Sequence, residues 1–308
     1  GRPRSRHTAV RSGRPRARGR LRLRPLRHRG RRSRTGQAGR DRALARRRLG
    51  APRSHCPHPD CQRRPAYLPE QELATAIPRR HTYRGPFTAS TPEQTVLDSL
   101  TEAAPHGAQL VWVTEASAVA RLGDLYVEAT QAIADDARKS ADSFAWFRND
   151  RSQIEAHHDG LTLDCQGLSS TMLVAAKILP AQSRKASDDF WVKSAREVHT
   201  VTARTYGVVR VDGVDNPRNR LDGGRLLQHV HLAATAAGLG LQHMNQVTER
   251  IARDAAQDRP DRFSQRWAAI TGVPAAQSLL AFRMGHPERA ARPSPRRDLD
   301  DVVHDVGQ

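Results

Sequence analysis

The chain has 308 residues, and its basic side chains are concentrated at one end. Its 51 Lys and Arg and 32 Asp and Glu give a formal net charge of +19. Residues 1–70 hold 23 Arg and three acids, which leaves 28 basic and 29 acidic side chains in the rest of the chain. No run of residues is apolar over the length that crosses a bilayer, so we expect no membrane partner.

The Arg-rich segment lacks the residues that form a core. Up to position 66 it contains no Ile, Phe, Tyr, Trp, Met, Asn, Glu or Lys, and a single Val at position 10. Such a segment cannot bury enough apolar surface to offset about 1–2 kcal/mol of backbone entropy for each ordered residue. We therefore predict that residues 1–68 are disordered and that residues 69–308 form the folded domain.

Four interpretations of residues 1–68 remain open. Clustered Arg neutralises phosphates, which suits a nucleic-acid-binding arm, but no aromatic residues are interleaved for base stacking. Arg richness also suits a basic targeting peptide, although no apolar stretch of a secretory signal is present. A third interpretation is translation of GC-rich DNA out of frame, which yields the same few residue types. A fourth is a plain disordered tail, which has a similar composition. Nucleic-acid binding through this segment is the alternative function, but nucleic acid is not the partner that we expect.

Metal and disulfide chemistry receive little support. The metal-binding residue types cluster once, at His55, Cys56, His58, Asp60 and Cys61. Zinc sites pair two such knuckles, and no second pair follows, so we predict no metal site. Cys165 stands alone, which gives no disulfide framework and makes a reducing cytoplasm the expected compartment.

Prolines and helix-capping residues predict the first elements of the folded part. Pro69 opens a short helix through Ile77, and Pro78 ends it. Thr91 and Gln94 have the spacing of a capping box for a helix over 92–103.

Further along, an apolar run predicts a buried strand over 109–113, and Val119, Leu122, Tyr126 and Ala129 follow the spacing of a core helix. Residues 137–196 combine helical patches with polar turns, which suggests an excursion or lid.

The remaining elements alternate without regular βαβ units. We predict strands over 198–205, 207–211, 239–246 and 277–284, and helices over 221–237 and 248–270 with a break at Pro260. This order favours an α+β fold over a doubly wound sheet. Gly238-Leu239-Gly240 is too short for a phosphate-binding loop, and no nucleophile elbow or zinc-protease helix occurs, so the sequence indicates no hydrolase or zinc enzyme.

Several of these segments resemble the nitroreductase superfamily. The segments are 76–87 (AIPRRHTYRGPF), 223–240 with its closing Gly-Leu-Gly, 277–286 (QSLLAFRMGH) and the basic tail 292–299. Their order over residues 73–308, with Trp146-Phe147-Arg148 ahead of Asp159-Gly160-Leu161, is most similar to the Acg-like FMN-binding branch. The resemblance implies a mixed or antiparallel sheet flanked by helices.

The chain departs from that branch in its first half. Acg-like proteins resemble two nitroreductase units fused in one chain, and the first unit should carry an Ala-Pro-Ser-x-x-Asn-x-Gln-Pro-Trp motif. Nothing like it occurs in residues 1–72, and 104–112 (APHGAQLVW) stands where a decayed copy would fall. If both units build the flavin site, this chain supplies part of it, and a second copy is a possible partner in a homodimer.

The resemblance also implies a set of flavin-binding residues and no catalytic side chain. Basic and hydroxyl residues would lie by the FMN phosphate, and residues after the Gly-Leu-Gly would line the isoalloxazine ring. The phosphate set is Arg80, Thr82, Arg84, Arg296 and Arg297, and the ring set is Gln242, His243 and Met244. Guanidinium groups suit a phosphate dianion because they form charge-assisted bidentate bonds. The plainer interpretation is that the arginines are solvated surface residues and that Gln242, His243 and Met244 pack in the ordinary way at the edge of a strand.

The functional hypothesis follows from this resemblance. FMN would carry electrons or hydride from NAD(P)H to a nitroaromatic or quinone-type acceptor, with the protein supplying orientation and electrostatics. In the Acg-like branch the flavin pocket is covered, so the protein would alternatively bind or sequester flavin without efficient turnover.

Overall fold

The computed structural model describes residues 70–105, 107–148, 150–179 and 182–303. The predicted disordered segment 1–68 and the 55–61 cluster lie outside these residues. No helix of the described part is long and apolar enough to cross a membrane.

The described part is an α+β structure, as the sequence predicted. Its strands are β1 (Ala108–Val113), β2 (Thr205–Val211), β3 (Gly240–His243) and β4 (Ser278–Gly285). Its helices are α1 (Glu70–Ala76), α2 (Gln94–Glu102), α3 (Ala116–Ala134), α4 (Ala137–Phe144), α5 (Arg151–His157), α6 (Ser170–Ile178), α7 (Arg184–Ser194), α8 (Pro217–Ala236), α9 (Gln246–Ala255) and α10 (Ser264–Thr271).

The four strands form one antiparallel sheet in the order β1-β2-β4-β3. Side chains alternate between its faces. On one face, Tyr206 and Val208 pack against α3, α9 and α10. On the other, Val209, Val211 and Phe282 pack against α2 and α8. The sheet is therefore a central layer with an apolar core on each side, and this confirms the predicted helix-flanked sheet.

Helix α8 begins four residues before its predicted start at Leu221. Asn216 caps the helix, since its side-chain oxygen accepts a 2.8 Å bond from the Arg218 amide, and Pro217 occupies the first turn. Asparagine followed by proline is a favoured helix start, so the signal was present in the sequence.

The predicted strand over 198–205 was wrong. Helix α7 runs into one turn of π-helix, Ala195–His199, and β2 starts only at Thr205. The Thr200 hydroxyl donates to the Ala195 carbonyl, and the Thr202 hydroxyl donates to the Val198 carbonyl. These bonds favour helical turns and override the strand preference of the β-branched residues.

Two boundaries were also wrong. The predicted capping box of Thr91 and Gln94 does not form, because Glu93 is the N-cap without a side-chain cap and Gln94 instead donates to Asp98. The strand predicted over 239–246 ends at His243, and Gln246 begins α9. The polar groups at 243–246 consequently lie at a strand-to-helix turn.

Gly207 is the point of closest packing in the sheet. It lies opposite Trp112 and Phe282, whose rings meet edge to face at 5.6 Å. A Cβ at Gly207 would overlap the Phe282 ring, whereas a Cβ at Gly224 in α8 would meet nothing within 4 Å.

We expect Gly207→Ala to lower the free energy of unfolding by about 1–3 kcal/mol, because the Phe282 ring must shift. Gly224→Ala is the matched control and should stabilise the protein by about 0.5–1 kcal/mol, since alanine favours a helix. Urea denaturation measures both changes. Equal effects of the two substitutions would contradict this packing.

Candidate functional site

A cavity of about 500 Å³ lies at the turn between β3 and α9. Polar groups from the sheet side include Arg84, His199, Gln242, His243 and Gln246. The opposite wall comes from the 137–196 excursion and is rich in aromatic rings, namely Phe144, Trp146, Phe147, Phe190 and Trp191. The cavity thus has a polar floor and an aromatic wall.

Specific contacts hold the aromatic wall together. The Phe144 and Phe147 rings stack with centroids 6.1 Å apart, and Phe147 forms a backbone bridge with Leu161. Arg148 and Asp159 form an ion pair at 2.6 Å, with both side chains mostly buried. The excursion is therefore a packed part of the structure that forms one wall of the cavity.

Arg283 in β4 is fully buried and binds three segments that surround the cavity. Its Nε donates to Gln242 Oε1 at 2.7 Å, its Nη1 to the His199 carbonyl at 2.9 Å and its Nη2 to the Gly85 carbonyl at 2.7 Å. The guanidinium also lies 4.4 Å from the centre of the Phe87 ring. Burial lowers the pKa of Arg283 to about 9, so the group remains charged at neutral pH.

Three neutral histidines lie at or behind the floor. Burial, reinforced by nearby arginines, lowers the pKa of His199 and of His231 to about 3 and that of His243 to about 4. His231 Nδ1 lies 3.3 Å from Arg80 Nη1, and its Nε2 lies 3.2 Å from the His81 carbonyl oxygen. Since arginine only donates, His231 accepts at Nδ1 and donates from Nε2. It thereby positions Arg80.

The positive charges around the floor lack carboxylate partners. Among the described residues, no ion pair to Asp or Glu involves Arg80, Arg84, Arg283 or Arg296. Arg296 donates to the Arg80 carbonyl at 2.7 Å, and each of these two guanidinium groups depresses the pKa of His81 after burial itself. Uncompensated guanidinium groups in a cluster favour binding of an anion.

The structure brings together only part of the predicted set. Arg84, Gln242 and His243 line the cavity. Thr82 and Arg84 line a neighbouring cavity of about 130 Å³, together with Arg289 and Arg292 of the tail. Met244 does not line either cavity: it lies just past the end of β3 and is fully buried in the core with Val247 and Phe263.

The C-terminal tail fastens the excursion to the sheet side. Arg297 binds Asp159 at 2.7 Å, the same carboxylate that Arg148 binds. Arg292 donates to Ser170 at 3.3 Å, while Arg296 holds the backbone of Arg80. Of the predicted phosphate ligands, Arg297 is thus the one paired with a carboxylate.

Sequence reasoning missed the aromatic wall, His199, Gln166 and Gln246. Phe144 to Phe147 were visible as an apolar patch, but nothing local shows that the patch faces the floor. Gln166 Nε2 and Gln246 Oε1 are buried without a hydrogen-bond partner in the described part of the chain. Only the three-dimensional structure shows this, since polar residues look alike in sequence.

No family model matches the chain, and no curated protein matches it. Among solved structures it is similar to an FMN-bound nitroreductase from Desulfitobacterium hafniense, with 14% identity, a TM-score of 0.47, and coverage of 76% of this chain and 98% of that chain. An FMN-dependent nitroreductase from Mycobacterium smegmatis in complex with NADPH gives 17% identity, a TM-score of 0.47 and the same coverage. An NADPH:FMN oxidoreductase from Vibrio harveyi complexed with NAD+ gives 15% identity, a TM-score of 0.41, and coverage of 77% of this chain and 78% of that chain. These values do not assign a family or an activity.

We expect Arg283→Met to lower the free energy of unfolding by about 3 kcal/mol or more, because it leaves the buried carbonyls of Gly85 and His199 and the Gln242 amide without a donor. Arg204→Met is the matched control, since exposed Arg204 donates only to the nearby Val201 and Ala203 carbonyls. Urea denaturation measures both. A loss no larger than that of the control would contradict the role assigned to Arg283.

The buried histidines also predict acid sensitivity. Their pKa values are lower in the folded protein than the usual 6.5, so the unfolded chain binds more protons between about pH 4 and 6.5. Stability is therefore lost as pH falls through this window, by up to about 1.4 kcal/mol per pH unit for each histidine. His231→Gln should flatten this dependence, measured by denaturation at a series of pH values, with exposed His157→Gln as the control. An unchanged slope in His231→Gln would refute the assignment.

Proposed function

We propose that the cavity binds FMN and that the protein is a flavin-dependent oxidoreductase of the nitroreductase type. The observation that carries this proposal is the convergence of Arg84, Gln242 and His243 on one cavity with an aromatic wall. Arg80 does not line the cavity but contacts His231, whose ring lies 5.5 Å from that of His243, and the exposed Arg296 donates to the Arg80 carbonyl.

The cavity suits a planar aromatic ring system. Its volume of about 500 Å³ lies in the range of about 300–1,000 Å³ that is usual for small-molecule sites. Aromatic side chains on one wall favour stacking, and polar groups on the opposite floor fix orientation. An isoalloxazine ring needs both.

The arginines suit the phosphate of FMN. Arg80 and Arg296 are adjacent and have no carboxylate partner in the described part, so a dianion there would relieve their mutual repulsion. Partial burial of Arg80, and after it the charge of Arg296, lower the pKa of Arg80, and a bound phosphate would oppose that effect. Thr82 and Arg84 are on the same segment and add a hydroxyl donor and a third positive charge.

Bound FMN would supply the redox chemistry, taking hydride from NAD(P)H and delivering electrons to a nitroaromatic or quinone-type acceptor. The protein orients the ring and keeps water from it with the aromatic wall. Arg84 places a positive charge at the floor, which favours a ligand that gains negative charge. The histidines are uncharged at neutral pH, so they act through hydrogen bonds.

A second function, flavin binding without efficient turnover, is favoured by the position of the excursion. The aromatic residues of the excursion line the cavity, and an acceptor would have to share its limited volume with the flavin. Turnover would therefore require the excursion to move. Stopped-flow reduction of the bound flavin by NADPH distinguishes the two functions, because a covered site gives slow reduction and tight binding.

Titration with FMN and with riboflavin, followed by flavin fluorescence, tests the binding. We expect Arg80→Ala to weaken FMN binding by about 10- to 100-fold, because one or two charge-assisted bonds to the phosphate are lost. Riboflavin has no phosphate, so its affinity should change little.

Arg79→Ala is the matched control, because Arg79 is an exposed neighbour of the same charge that donates only to the Thr75 carbonyl. A folded protein that leaves the fluorescence of both flavins unchanged would overturn the proposal. So would an equal loss of FMN affinity in the two variants.

A further inference from the structure

The cavity of about 500 Å³ combines aromatic rings with carboxylates. Five rings line it, those of Phe144, Trp146, Phe147, Phe190 and Trp191. Asp188 and Glu249 line the same cavity. Arg84 is the one basic side chain among the described lining residues that is charged at neutral pH, since burial keeps His199 and His243 neutral. The proposed function uses the rings and Arg84 but not the two carboxylates.

Helical spacing brings both carboxylates to the cavity. In α7, Asp188 lies three residues before Trp191, and in α9, Glu249 lies three residues after Gln246. Residues at this spacing lie on the same side of a helix. Since Trp191 and Gln246 also line the cavity, both carboxylates are on the cavity side of their helices. Asp188 is partly buried and Glu249 is exposed, so both are accessible to a ligand.

The two carboxylates lie next to consecutive residues of α4. Ser140 Oγ donates to Asp188 Oδ2 at 2.5 Å. Partial burial raises the pKa of the Glu249 carboxyl, and the charge of the neighbouring Lys139 opposes that effect. Helix α4 packs against α7, and both α4 and α9 pack against α3. Asp188 and Glu249 therefore mark one end of the cavity, which we call the acidic end.

Aromatic rings beside carboxylates favour a cationic ligand. The face of an aromatic ring attracts a cation that lies within about 6 Å of its centre. The aromatic wall contains one such contact, because the Arg148 guanidinium lies 5.9 Å from the centre of the Trp146 ring. Within the described ranges, neither Asp188 nor Glu249 forms an ion pair with Lys, Arg or His. Both carboxylates therefore lack a contacting cation.

We infer that the acidic end of the cavity binds a planar aromatic ring that carries a permanent positive charge, such as an N-alkylpyridinium or an N-alkylquinolinium. The aromatic wall attracts the faces of this ring through cation–π contacts, and Asp188 and Glu249 balance its charge. A neutral ring of the same size gains the stacking alone. Neither a nitroaromatic nor a quinone carries such a charge, so the inference goes beyond the proposed function, and it does not require bound flavin.

The test compares N-methylquinolinium with quinoline, which is uncharged at neutral pH, by isothermal titration calorimetry of the full-length protein without added flavin. We expect the cation to bind about 10-fold more tightly, because attraction to the rings and to the carboxylates adds to stacking. Equal affinities, or no binding of either compound, would overturn the inference. The FMN titration is read separately, so a failure of flavin binding removes the proposed function alone.

A variant assigns the preference to the acidic end. Glu249→Gln should reduce the ratio of the two dissociation constants by about 3-fold, because it removes one of the two negative charges and keeps the shape of the side chain. Glu102→Gln is the matched control, since Glu102 is an exposed carboxylate at the end of α2 that does not line the cavity. A folded Glu249→Gln protein with the wild-type ratio would overturn the assignment. If this variant does not fold, the comparison of the two compounds on the wild-type protein still decides.

Discussion

The arrangement of the cavity depends on one buried guanidinium group. Arg283 reaches three segments that are distant in sequence, the turn at Gly85, the π-helix that ends at His199 and the strand that carries Gln242. None of these contacts is with a carboxylate, so the charge is stabilised by oriented carbonyl and amide dipoles. Removing any one segment would leave a buried charge short of partners. The floor therefore forms as a unit.

Charge is distributed unevenly over the folded part. Asp136 accepts bonds from Arg253 and Arg259, and Asp254 binds Arg250, so carboxylates and arginines compensate each other between α9 and the end of α3. The pKa of Asp136 is consequently held well below its usual range, first of all by its bond to Arg253. The floor of the cavity has arginines without such partners. A nearly neutral domain thus still carries a local excess of positive charge.

The sequence predicted those features that depend on local chemistry. Periodicity identified α3 and α8, and the absence of regular βαβ alternation indicated the α+β fold. Features that depend on long-range contacts were not predictable. The β-branched run around Thr200 and Thr202 forms helical turns in which both hydroxyls bind backbone carbonyls, and Met244 packs in the core past the end of β3. One buried amide atom of Gln166 and one of Gln246 have no hydrogen-bond partner in the described part of the chain. No sequence pattern shows this, because it depends on the positions of groups that are distant in sequence.

The contacts between the C-terminal tail and the 137–196 excursion are sensitive to the ionic strength of the solvent. Arg297 and Arg292 remain about half exposed where they meet Asp159 and Asp164. Contacts of this kind are screened by dissolved ions, whereas the buried bonds of Arg283 are not. Ionic strength therefore weakens the contacts between the tail and the excursion and leaves the buried bonds of Arg283 intact.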